Sequence, residues 1–204
     1  KRTAVTVEAK KLNEYELKNW VKERAKVNGI VFEPDALELL ITLVGTNMFM
    51  ITSEVDKLAL YAAEEKQINA SMVENLVSRS LEQNIFTLIE KVVQRRPEDA
   101  LRIYYDLLKQ NEEPIKILAL LAGQFRLIYQ VKELSRRGYG QQQMAGYLKT
   151  HPFRVKLAAG QANQFTDEEL TNLMSMLANA DHQMKTGGMN KSLLIELLLF
   201  KIKR

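Results

Sequence analysis

The sequence contains no cysteine. Disulfide frameworks, thiol nucleophiles and zinc sites built on thiolates are thereby excluded, and an intracellular setting is the natural expectation. There are only two histidines, His151 and His182. His151 stands directly before Pro152 at the start of a helical stretch, and His182 sits beside Asp181 on a polar turn; neither has a second ligand at metal spacing. A capping residue and a surface residue are expected, not a catalytic base or a metal site. Glu64-Glu65 and Glu112-Glu113 are adjacent, so on a helix their side chains diverge into solvent and do not pair for acid–base work. No G-x-x-x-x-G-K-[S/T] run occurs, and Gly187-Gly188 is followed by Met189-Asn190-Lys191 without the required spacing, which excludes a P-loop. The longest apolar run, Leu193 to Phe200, is broken by Glu196 and is too short to span a bilayer. The start at Lys1-Arg2-Thr3, with neither methionine nor an apolar signal core, reads as a piece of a longer chain. Neither a fixed-period repeat nor a low-complexity segment is present.

What remains is a chain of 204 residues, 46% hydrophobic and 26% charged, enough for one or two domains with their own cores. The net charge of +4 is uneven: residues 1–80 carry 11 Lys+Arg against 12 Asp+Glu, and residues 81–204 carry 18 against 13. Attraction to an anionic partner therefore belongs to the second half.

Helical periodicity runs almost from end to end. Asn13 followed by Glu16 forms a capping box, and Leu17, Trp20, Val21 and Ala25 then recur at helical spacing up to Gly29. Pro34 opens a helix that stops at Gly45, Met48 to about Glu65 gives a third, and Ser71 to Val77 a short fourth. The periodicity breaks at residues 79–84. Longer helices follow from Asn84, from Pro97 and from Pro114 to Gly138, with a short one at Gln141–Tyr147. Another begins at Pro152, one runs from the Thr166/Glu169 capping box to about Lys185, and Ser192 to Lys201 closes the series. Ala4-Val5-Thr6-Val7-Glu8 is the single stretch that reads as a strand or linker, so no sheet is expected. Met174, Met176, Met184 and Met189 are irregularly spaced among leucines and read as core packing.

Two positions stand out chemically. Arg126, flanked by Phe125 and Leu127 on an otherwise apolar helix, calls for either an intra-domain carboxylate or an ion pair at a subunit interface. Phe153-Arg154-Val155-Lys156 places an aromatic beside two cations at a helix N-terminus. It is either a stacking platform with phosphate contacts or a hydrophobic anchor with solvated charges.

Several stretches together resemble the delta subunit of the bacterial DNA polymerase III clamp loader, in the form found in Gram-positive bacteria. They are Leu12 to Val21, Gly45-Thr46-Asn47 with Glu54 to Tyr61, Asn84 to Leu88, Gln124-Phe125-Arg126, His151 to Lys156, and Asp181 with Lys185-Thr186-Gly187. The resemblance implies an all-α chain that follows an AAA+-like domain. Residues 1–9 would be the end of that domain or a linker, 10–80 a small helical lid, and 84–204 a larger helical collar. It further implies a non-catalytic subunit without cofactor, cytoplasmic at the replication fork and not in a membrane. Its partners would be the other loader subunits in a hetero-pentamer, the sliding clamp through the preceding domain, and primer–template DNA. ATP-hydrolysing relatives carry G-x-x-R at the third lid helix; here that arginine position is Met48, which points to the delta type. Phe153, Arg154 and Lys156 would face DNA, and Arg126 a neighbouring subunit. The alternatives are the lid and collar of another AAA+ replication or repair protein, or a stand-alone helical regulator reading duplex DNA with residues 141–154.

Overall fold

The computed structural model describes residues 12–94, 96–187 and 189–202. The expected strand at Ala4–Glu8 lies outside them. Eleven helices form among the described residues, in two bundles.

The first bundle holds α1 (Glu14–Val27), α2 (Pro34–Val44), α3 (Met48–Tyr61) and α4 (Ala70–Leu76). Local chemistry sets their starts. Asn13 accepts from the Glu16 amide at 2.9 Å while the Glu16 carboxylate accepts from the Asn13 amide at 2.7 Å, which satisfies two orphan donors of α1. Asn47 and Asn69 cap α3 and α4 in the same way through their side-chain oxygens. Leu17, Val21, Leu40, Ile41, Ile51, Val55 and Leu58 fill the core. Contrary to the expectation of no sheet, Val31–Phe32 (β1) pairs in parallel with Gln67–Ile68 (β2). Two residues per strand are too few for a periodicity to register, and the pairing serves to close loops on the bundle.

Gly45 ends α2 at φ +80°, ψ −142°, a backbone region open to glycine alone. A Cβ there would also sit 3.1 Å from Nε2 of Gln83. Gly45→Ala is therefore expected to destabilise the first bundle by about 1–3 kcal/mol. Urea denaturation followed by Trp20 fluorescence tests this, and an unmoved midpoint would contradict the strain.

The second bundle holds α5 (Leu81–Val93), α6 (Pro97–Lys109), α7 (Pro114–Arg136), α8 (Gln141–Tyr147), α9 (Pro152–Ala162), α10 (Asp167–Thr186) and α11 (Lys191–Lys201). α5 begins earlier than its apolar spacing suggests because Ser80 caps it, accepting from the Gln83 amide at 3.3 Å. Its first turn presents Glu82 and Gln83, which carry no apolar period. α7 is the central element, packed against α9 and α10, with Ile117, Leu121, Phe125, Ile128 and Val131 turned into the core. Phe125 meets Phe165 edge-to-face with centroids 5.7 Å apart. A buried glutamine pair ties three helices: Gln124 donates to Gln161 Oε1 and Gln161 donates to the Phe86 carbonyl, each at 3.2 Å. Outside, Asp167 accepts two bonds from the Arg136 guanidinium. Those bonds, with a further one from Lys132, hold its carboxyl below the usual carboxylate range.

Candidate subunit interface

α9 is the hinge-pin between the two bundles. His151 caps it: Nδ1 accepts from the Phe153 amide at 3.1 Å. A neutral ring accepting at Nδ1 carries its proton on Nε2, and that nitrogen donates to the Leu12 carbonyl. One imidazole thus starts a helix of the second bundle and holds the chain at Leu12, just before α1 of the first. Phe153, only 8% exposed, inserts into the first bundle's core with Leu157 packed beside it. Arg154 and Lys156 approach Glu82 and Glu14, each at 3.9 Å. Such long, solvated pairs contribute little. The Ser80 amide adds a bond to the Leu43 carbonyl at 3.0 Å.

The expected DNA-facing set is therefore arranged differently from its sequence reading. Phe153 is the hydrophobic anchor, with no free ring face to offer a base, and Arg154 and Lys156 flank the junction. The duplex-reading alternative meets the same obstacle. α8 and α9 do pack as a helix pair, but the α9 N-terminus that would have to enter a major groove is covered by the first bundle. Met48 is the first residue of α3, part-buried against the first core. Its thioether offers no charge to a phosphate.

Arg126 has a different setting. It is exposed on α7, and among the described residues no carboxylate pairs with it, while Lys116, Lys132, Arg136 and Arg137 on or beside the same helix all have acidic neighbours. The intra-domain carboxylate reading of Arg126 thus finds no ion pair among the described residues. It stands at a groove of about 440 Å³ between α7 and α10, lined by Ala119, Ala122, Met174, Leu177 and Ala178, with Asp181 also on its wall. Ala119, Ala122 and Arg126 recur at helical spacing on α7, as do Met174, Ala178 and Asp181 on α10. Small side chains on both walls leave room for a third helix, and the lone guanidinium supplies a charged contact. Met174 lines this groove instead of filling the core, whereas Met184 is buried as expected. No sequence signal marks the alanines, because alanine suits any helix position.

Two helical bundles packed together chiefly through α9, with an apolar groove and an arginine that has no ion pair among the described residues on the larger, define an all-helical two-bundle protein. Residues 82–202 match the family model for the C-terminal domain of the DNA polymerase III delta subunit, and residues 13–75 match a model described as a middle domain. The chain is 47% identical over 202 residues to DNA polymerase III subunit delta of Bacillus subtilis, covering 99% of this chain and 58% of that protein. It is 31% identical over 133 residues to the probable DNA polymerase III subunit delta of Aquifex aeolicus, covering 65% of this chain and 38% of that protein. The solved structure of the B. subtilis DNA clamp loader delta protein (YqeN) superposes with a TM-score of 0.87 at 48% identity, over 96% of this chain and 58% of that one. The chain belongs to the DNA polymerase III delta subunit family. It spans 58% of the length of the B. subtilis relative.

Proposed function

We propose that this chain is the lid and collar of a clamp-loader delta subunit, a non-catalytic scaffold that holds its place among the other loader subunits in a hetero-pentamer. The lid is the first bundle and the collar the second. The clamp itself would be engaged by a domain preceding this chain, with primer–template DNA below the collar in the cytoplasm. The carrying observation is the α7/α10 groove with Arg126 unpaired at its edge. A subunit within a closed ring touches two neighbours through different surfaces. The exposed Leu193, Leu197 and Phe200 of α11 offer a second apolar face. It adjoins the side of α10 that carries Met176, Asn179 and Gln183, opposite the side facing the groove. Met48, in place of an arginine, fits a subunit that leaves ATP hydrolysis to its neighbours. Neither histidine is poised for chemistry: His151 is committed to the α9 cap and His182 is exposed.

Arg126→Glu is expected to weaken co-purification with the other loader subunits by at least tenfold in dissociation constant, since truncating or reversing one partner of an interfacial charge pair costs about 2–5 kcal/mol. Arg126→Lys should retain most of the binding. Undiminished assembly of the Glu variant would remove the groove as an interface.

A further inference from the structure

Asn28 caps the C-terminus of α1, and it is the one asparagine in the chain with a glycine directly after it. Glycine has no side chain to hinder its own backbone nitrogen, so that nitrogen can attack the side-chain amide of the residue before it. Gly29 lies on the surface at φ +74°, with open space where a Cβ would stand. Two sets of bonds restrain the reacting atoms. The Gly29 N–H donates to the Lys26 carbonyl at 3.0 Å. Asn28 Nδ2 donates to Asp56 Oδ1 at 2.8 Å and to the Arg24 carbonyl at 3.3 Å. Asp56, on α3, is itself fixed by the Arg24 guanidinium, which donates to Oδ1 at 3.2 and 2.9 Å and to Oδ2 at 2.7 Å. That guanidinium, with Asn28 assisting, holds the Asp56 carboxyl below the usual carboxylate range.

We infer that Asn28 is a deamidation site, gated by its bond to Asp56, and that the aspartate it becomes loosens α1 from α3. In the reaction the Gly29 nitrogen bonds to the side-chain carbonyl carbon of Asn28 and the bond from that carbon to Nδ2 breaks. Nδ2 leaves as ammonia, carrying the proton that the Gly29 nitrogen gave up. Water then opens the five-membered imide, at one carbonyl to aspartate and at the other to isoaspartate. Attack requires both sets of bonds to release together, a local opening at a helix end, where fraying costs least. The product cannot rebuild what was lost. A carboxylate at position 28 has no donor for Asp56 or for the Arg24 carbonyl, and two carboxylates stand where a charge-assisted hydrogen bond had been. Its charge also falls at the C-terminus of α1, where the helix dipole favours cations. Because ammonia is lost, the change accumulates and records how often this corner of the first bundle opens. The inference rests on the first bundle alone and is independent of the Arg126 groove.

The test incubates the folded 204-residue chain in mildly alkaline buffer and follows residue 28 by peptide mass and by enzymatic methylation of isoaspartate. Asp56→Ala should speed conversion about threefold to tenfold, the factor by which losing a hydrogen bond to a charged group raises the open population. Gly45→Ala, compared at equal loss of stability, controls for general loosening of the same bundle and should speed it less. Asn28→Asp should lower the urea midpoint read by Trp20 fluorescence, and Asn28→Asp with Asp56→Asn, which exchanges donor and acceptor, should recover most of the loss. The proposal is overturned if Asn28 stays intact in the folded Asp56→Ala variant while the urea-unfolded chain converts, or if Gly45→Ala speeds conversion as much as Asp56→Ala. It is also overturned if Asn28→Asp leaves the Trp20 midpoint at the parent's value, or if the exchanged pair recovers nothing.

Discussion

Phe153→Ala is expected to unfold the first bundle at lower denaturant, although residue 153 lies far along the chain in the second. The ring is 8% exposed among side chains of the first bundle, with Leu157 packed on the same core. Deleting a buried phenylalanine costs about 3–5 kcal/mol, because transfer energy is lost and a cavity remains. Trp20, the chain's sole tryptophan, packs against that same core. Its fluorescence therefore reports the first bundle directly in a urea titration, while far-UV dichroism follows the whole chain. The first bundle's midpoint should fall well below the second's, turning one transition into two, and Phe153→Leu should recover most of the loss. A Trp20 midpoint equal to the parent's would show that the α9 anchor contributes nothing to the first bundle.

Phe125→Ala is the complementary case. Phe125 is fully buried at the centre of α7 and makes the edge-to-face contact with Phe165. The expected loss is again about 3–5 kcal/mol, with the aromatic pair adding about 0.5–1.5 kcal/mol beyond buried area. This loss falls on the second bundle. Dichroism should reveal early melting of most of the helix while Trp20 retains a later transition. The proposed assembly with other loader subunits should fail as well, since α7 forms one wall of the Arg126 groove. A dichroism midpoint unchanged from the parent would contradict the placement of α7 at the core.

The contrast between these two phenylalanines shows which features were legible in the sequence. Phe125 recurs with Leu121 and Ile128 at helical spacing, so its burial follows from periodicity alone. Phe153 stands at a helix start beside two cations, where a stacking platform and a hydrophobic anchor have the same sequence appearance. Only the position of the first bundle relative to α9 decides between them. Arg126 is similar: its apolar flanks are visible in the sequence, but that it makes no ion pair among the described residues, with Asp181 on the same groove wall, depends on how α7 and α10 pack.

By itself the sequence determined where most of the helices begin. Asn13 with Glu16, Thr166 with Glu169, and prolines 34, 97, 114 and 152 act on backbone groups within one turn of themselves. Helix termini are short-range chemistry, so they can be read without a fold. Tertiary structure alone decided that His151 reaches Leu12, that Phe153 completes a core formed more than seventy residues earlier, and that Arg126 faces outward with no ion pair among the described residues. Those outcomes depend on packing between distant segments, which is fixed by the fit of whole helix faces and not by any one residue's neighbours in the chain.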